Sequence, residues 1–302
     1  HLGIMQRVVR SVAWVMQRTM KTSGAETLCA ASNIFVGMME SPLVVKPYIE
    51  RMTESELMAI MTAGLATISG SVLAAYAGML SPFEPDAAGH LIAASIMSAP
   101  AAFVMAKILV PETEEPTTLG LLTEDVVSDD VNAIDAAARG AGEGLRLALV
   151  VGAMLIAFIA LVSMLNGMIG WVGALGGFPD LTLERILGGV LAPVAWMLGI
   201  PWADAGLIGQ MIGVDFVLNE FVAFARLSGT LASGQAIDPR SVVIGIYALT
   251  TFANFGSVAM TIAGIGAIAP SRRQDLARLG LKSMLAGLLA SLATAAVAGI
   301  LL

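Results

Sequence analysis

Two glutamates sit inside short apolar stretches: Glu40, in the break Gly37-Met38-Met39-Glu40-Ser41-Pro42, and Glu220, in the break Val217-Leu218-Asn219-Glu220-Phe221. A carboxylate in such a setting is costly unless it is paired, hydrogen-bonded or binds something. The bland alternative is a structural carboxylate capping nearby helix N-termini. Asn219 and Asn254 add amides that both donate and accept, which suits a polyhydroxylated solute, with interhelical hydrogen bonding as the structural alternative. Asn33 and Thr67 offer oxygen ligands, together with carbonyls freed where helices unwind near Val36 and Ile68. Neutral oxygens of this kind suit Na+ by the logic of hard cations, although Ser and Thr in spans usually bond back to the preceding turn. Glu40 and Glu220 would also serve as acid and base of an intramembrane hydrolase. No nucleophile or metal motif accompanies them, so an enzyme is not expected.

The elements that position these residues must be helices in lipid. The 302 residues are 57% hydrophobic and 13% charged, with a mean hydropathy of +0.84, more apolar surface than a soluble core of this size needs. Charge-free runs at Leu57–Phe83, Leu147–Pro179, Ser241–Ser271 and Ser283–Leu302, with Ala87–Ala106 carrying only His90, each reach the roughly 20 residues that cross a hydrocarbon core. About five full spans are expected. The runs are continuous rather than alternating, which excludes a porin-like barrel. The lone Cys29 excludes an intrachain disulfide and reads as a small packed residue. His90 reads as a surface residue at a turn, Asp204 as a helix cap, and Asp215 as buried without an assigned role.

The net charge of -7 comes from one segment: Glu112, Glu114, Glu115, Glu124, Asp125, Asp129, Asp130, Asp135 and Glu143 face only Arg139, the signature of a solvated loop. Basic residues set the orientation instead. Arg7, Arg10, Arg18, Lys21, Lys46 and Arg51 precede the first full span, and Arg272, Arg273, Arg278 and Lys282 separate the last two, so both regions are expected in the cytoplasm and the turn at 81–89 outside.

A repeat is visible. Each broken apolar stretch is too short to cross twice, and backbone leaves helical geometry at membrane depth only where protein or a water-filled cavity satisfies it, so both read as re-entrant hairpins. An amphipathic segment with a Trp precedes each one, Trp14 in the first case and Trp196 in the second. A span interrupted by small polar residues follows each, Ala66–Val72 and Phe252–Ser257. The expected fold is all-α and integral to the membrane. Residues 1–110 form the first repeat, with an interfacial helix, hairpin 1 at about 25–50 and spans at about 54–80 and 87–109; 111–142 form an acidic cytoplasmic loop with room for a short helix; and 143–168 form a central span. Residues 169–302 form the second repeat, with an interfacial helix at about 182–198, hairpin 2 at about 202–226 and spans at about 240–267 and 275–301. One crossing between the copies inverts the second, the layout of secondary transporters.

These residues resemble the concentrative nucleoside transporters over essentially the whole chain. The resemblance rests on Asn33-Ile34-Phe35-Val36-Gly37 with Glu40-Ser41-Pro42-Leu43, on Ala66–Tyr76, on Val217–Ala223, on Phe252-Ala253-Asn254-Phe255 and on Gly264–Arg273. It implies cation-coupled nucleoside uptake, with Na+ as the expected ion and H+ as the alternative, by a homotrimer of elevator-type protomers in a bacterial inner membrane. A binding-only paralogue is the other alternative, and nucleic acid is not an expected partner. By the resemblance, Glu220, Asn254 and Ser257 hold the ribose, Glu40 and Phe252 line the site, Val72 packs against the base, and Asn33, Val36, Thr67 and Ile68 form the Na+ site. Gly37, Met38 and Met39 complete the tip. The family usually places two polar residues where Met38 and Met39 stand, so base recognition is expected to differ. Bacterial members usually carry three further spans ahead of the segment that begins here at His1, so either a longer parent chain or a protein with a reduced scaffold is expected.

Overall fold

The structure is a computed structural model that describes residues 4–119 and 132–302; the centre of the expected acidic loop lies outside the described residues. The first copy runs α1 (Ile4–Met20), α2 (Gly24–Val36), a 3-10 turn at Ser41–Val45, α3 (Lys46–Ile49), α4 (Glu54–Ala66), α5 (Gly70–Leu80) and α6 (Ala87–Leu109). After α7 (Ala133–Leu175) come α8 (Leu183–Met197), α9 (Trp202–Val217), α10 (Glu220–Ala232), α11 (Pro239–Leu249), α12 (Phe255–Ile268), a 3-10 turn at Pro270–Arg272 and α13 (Arg273–Leu301). The copies correspond element by element: hairpin α2–α3 with α9–α10, broken span α4–α5 with α11–α12, plain span α6 with α13. All regular elements among the described residues are helical, as expected.

Two compact units divide the chain, His1–Val12 with Glu124–Leu183 and Ala13–Thr123 with Glu184–Leu302. The first contains α7, whose start is fixed by Asn132, the side chain accepting from the amides of Ile134 and Asp135 at 2.9 Å. Helix therefore begins at 133, where the expected loop still had ten residues to run before 143.

Both hairpins and both broken spans lie in the second unit. Glu54–Leu80, Ala87–Leu109 and Pro270–Leu301 are long and apolar enough to cross a membrane, and α8 with α9, bent by 118°, adds a fourth if taken as one span. Three of the five expected full spans coincide with these. The run Ser241–Ser271 is cut at 250–254 into α11 and α12, and in α7 Ile159–Leu175 is the continuously described apolar part. Ile92, Ile96, Ile108, Leu281 and Ile300 on α6 and α13 turn outward, the apolar faces that a helix against lipid presents.

Capping boxes start the helices of the first copy, and the sequence spells both as Ser/Thr-x-x-Glu. Ser23 and Glu26 reciprocate at α2, Thr53 and Glu56 at α4, and the Ser23 hydroxyl donates to Glu56 at 2.5 Å, tying the two starts together. Lys107 from α6 closes the cluster at 2.9 Å from Glu26 and 3.3 Å from Glu112. In the second copy Asp204 does not cap its own helix. Its carboxylate accepts from the Asp238 amide at 3.0 Å and the Ser241 hydroxyl at 2.7 Å, fixing the start of α11 instead. His90 is half-buried, its ring 5.8 Å from that of Tyr247, rather than fully at the surface.

The two broken spans meet at their breaks. The Phe252 amide donates to the Leu65 carbonyl at 2.7 Å and the Thr251 hydroxyl to the same oxygen at 2.9 Å, so each unwound segment satisfies the other's backbone. Gly287 of α13 lies under this junction, where a Cβ would stand 3.1 Å from Leu65 Cβ and 3.3 Å from Ala253 Cβ. Small residues permit that approach.

Candidate substrate-binding site

Hairpin 1 turns at Gly37, whose φ of +106° and ψ of 168° are open only to glycine. A Cβ there would also come 3.1 Å from Glu40 Oε2 and 3.3 Å from Ser69 Cβ. The turn thus folds Glu40 back toward Ser69, the N-cap of α5.

Glu220 is the first residue of α10, where the helix dipole favours an anion. Its two oxygens are held separately: the Tyr76 hydroxyl donates to Oε1 at 3.0 Å and Asn254 Nδ2 to Oε2 at 3.1 Å. Asn254 Oδ1 accepts from the Ser257 amide at 2.9 Å and caps α12, and Asn219 Oδ1 accepts from the Val222 amide at 3.0 Å and caps α10. Helix capping, a role the sequence does not suggest for either residue, thus occupies both asparagine oxygens, while the Asn254 amide makes an interhelical bond of the expected kind, to the carboxylate. Ser257 is buried in the first turn of α12, and Phe252 is half-buried in the break before it.

One helix joins the two glutamates. Ser69 and Tyr76 are seven residues apart, two turns or about 10 Å along one face at about 1.5 Å per residue, and Val72 lies between them on that face. Glu40 is at one end of this strip and Glu220 at the other.

Of the expected cation ligands, Asn33 and Thr67 come together. Asn33 Nδ2 donates to the Ala63 carbonyl at 3.0 Å and to Thr67 Oγ1, and Asn33 Oδ1 accepts from Ser41 Oγ at 3.2 Å. The Ile68 carbonyl already accepts from Ser95 at 3.1 Å, and Val36 is the last residue of α2. Asn33 Oδ1, Thr67 Oγ1 and the Ile68 carbonyl are neutral oxygens, the ligand type that suits a hard monovalent cation, and each is engaged in a hydrogen bond in this structure.

The two methionines at the tip take different paths. Met38 packs with Leu65, Ala253, Val258 and Met284, and its sulfur accepts from the Thr261 hydroxyl at 3.8 Å. Met39 is more exposed and abuts Gly264, where a Cβ would meet its methyl at 2.9 Å. A cleft of about 380 Å³ between α9 and α10, lined by Leu207, Gln210 and Arg226 among others, contains neither glutamate.

Tyr76, Ser41 and Ser95 had no assigned role in the sequence. Tyr76 carried a signal: a phenol in an apolar span needs a partner for its hydroxyl.

A family model described as Na+ dependent nucleoside transporter C-terminus matches residues 90–299, and one described as nucleoside recognition matches residues 1–83. A transporter of Haemophilus influenzae is 47% identical over 304 residues, covering 99% of this chain and 71% of that protein. Nucleoside permease NupC of Helicobacter pylori is 42% identical over 302 residues, covering 99% of this chain and 70% of that protein. The solved structure of CNTnw in an inward-facing substrate-bound state matches with a TM-score of 0.90 at 46% identity, covering 99% of this chain and 69% of that one. A family model over most of the chain, and such identity along its whole length, show that this multi-pass membrane protein belongs to the concentrative nucleoside transporter family.

Proposed function

We propose that this protein takes up nucleosides together with Na+ by alternating access. The observation that carries the reading is the strip on α5, with a carboxylate at each end of about 10 Å, the scale of a nucleoside. In this reading Glu220 and Asn254 bind the ribose hydroxyls with Ser257, Glu40 and Phe252 line the opposite side, and Val72 packs against the base. Na+ is cargo held by Asn33, Thr67 and the carbonyls of Val36 and Ile68. It would break the Asn33–Thr67 hydrogen bond, which ties ion binding to the geometry of hairpin 1. One relative, CNTnw, solved in inward-facing, intermediate and outward-facing states, supports alternating access. Homotrimeric assembly of elevator protomers and residence in a bacterial inner membrane follow the family. The basic clusters support a cytoplasmic first hairpin.

Uptake of radiolabelled uridine and adenosine into proteoliposomes tests this directly. An inward Na+ gradient is expected to drive accumulation; uptake that ignores Na+ would overturn the coupling ion, and calorimetric binding without uptake would select a binding-only paralogue.

Base recognition falls to Met38 and Met39, thioethers where the family usually offers polar groups. A pyrimidine's polar edge would then go unpaired, at about 1–3 kcal/mol per group. Because Met38 is tied into the core, Met39→Thr is expected to restore more uridine affinity than Met38→Gln, by about tenfold per 1.4 kcal/mol regained. A uridine–adenosine competition panel on both variants reads this out; unchanged selectivity in both would remove the tip from recognition.

A further inference from the structure

Asp215 is fully buried, and neither carboxylate oxygen has a hydrogen-bond partner among the described residues. It occupies the last turn of α9, one break away from Glu220. The two carboxylates have opposite settings. Glu220 opens a helix, where the dipole is positive, and two donors hold it. Asp215 closes a helix, where the dipole is negative, with no basic residue in that turn. A carboxylate in this position carries its charge at a high desolvation cost, and a proton removes that cost.

The surrounding charged groups leave it alone. Glu220 on α10 and Tyr76 on α5 act on it electrostatically, the first as a like charge. Arg226 on α10 pairs with Glu184 of α8 at 2.9 Å. Arg240 at the start of α11 donates to the carbonyls of Gly199 and Gly299. Asp204 at the far end of α9 is taken up by Asp238 and Ser241, Arg185 of α8 does not bond Asp215, and Tyr247 of α11 lies against His90.

We propose that Asp215 is a proton-binding site whose occupancy is linked to nucleoside binding at Glu220. The proposal rests on the ribose reading of Glu220 given above. Two carboxylates in settings this different divide the work, one holding charge and the other a proton. A nucleoside over Glu220 shuts water out of the hairpin break and fixes the Glu220 charge beside Asp215. Binding then draws one proton from solvent onto the Asp215 carboxylate, and no other bond changes. The sign follows: affinity is full at low pH and falls as pH rises, by at most about tenfold per pH unit for one proton.

Calorimetric titration of the purified protein with adenosine, in buffers of different ionisation enthalpy, counts the protons taken up. At a pH above the infrared midpoint of Asp215 without nucleoside, the wild type is expected to take up a fraction of a proton approaching one, and Asp215→Asn to bind adenosine with none. Equal proton uptake by the variant, or none by the wild type, would overturn the proposal. Infrared titration of the wild type is the second readout: a buried carboxylic acid C=O band that appears as pH falls, persists to higher pH with adenosine bound and is removed by Asp215→Asn supports the site, and its absence at low pH overturns it. Failure of any nucleoside to bind would instead sink the ribose reading, with the infrared band still deciding Asp215.

Discussion

Glu220→Ala is expected to abolish measurable nucleoside binding. Hydrogen bonds to a charged acceptor contribute about 1.5–3 kcal/mol each, so losing two from ribose hydroxyls weakens binding by at least roughly 100-fold. The variant also strands the Tyr76 hydroxyl and Asn254 Nδ2, which now donate to the carboxylate at 3.0 and 3.1 Å. Glu220→Gln keeps the shape but turns an amide donor toward one of those donors, so it is expected to lose at least about tenfold. Calorimetry on detergent-purified protein gives these affinities. Melting curves recorded alongside separate lost binding from lost fold, and near-wild-type affinity in a folded Glu220→Ala would remove this residue from the site.

The second large effect is on stability. Lys107→Met leaves Glu26, 1% exposed, without its 2.9 Å ion-pair partner at the base of hairpin 1. Breaking a buried pair from one side costs about 3–5 kcal/mol, because the remaining charge stays desolvated. At about 2–4 °C per kcal/mol the apparent melting temperature should fall by on the order of 10 °C. The double variant Lys107→Met, Glu26→Gln is expected to recover most of the loss. If the single variant melts like the wild type, the cluster of Glu26, Lys107 and Glu112 does not hold the hairpin base.

The sequence made the breaks legible because each places a carboxylate and a helix breaker inside apolar chain too short to cross twice. Glu40 and Glu220 stood out on that ground, and the small polar tracts at Ala66–Val72 and Phe252–Ser257 marked the broken spans. What hydropathy does not carry is where the freed backbone goes. Leu65, an ordinary apolar residue in sequence, supplies the carbonyl that joins the two breaks. Asn219 and Asn254 read as ligands or as interhelical bonding groups, and their capping role shows only where the helices start at Glu220 and Phe255. Asp204 bonds 34 residues downstream, and no local pattern announces such a partner. A charge-free run such as Ser241–Ser271 is long enough to cross, but its polar Thr250, Thr251 and Asn254 turn backbone hydrogen bonding away from the helix.

The partly legible tip shows the limit from the other side. Met38 and Met39 are adjacent and chemically alike, yet one packs beneath the breaks and the other lies against Gly264. Gly37 decides this, since its left-handed φ sets which of the following side chains turns inward.

The central claim is that the carboxylate at the start of α10 reads the sugar. Calorimetric binding of adenosine against 2′,3′-dideoxyadenosine tests it most directly, with the base held constant and only the ribose hydroxyls removed. The account predicts that the dideoxy compound binds at least roughly 100-fold more weakly than adenosine to the wild type. Equal affinity for the two would contradict it.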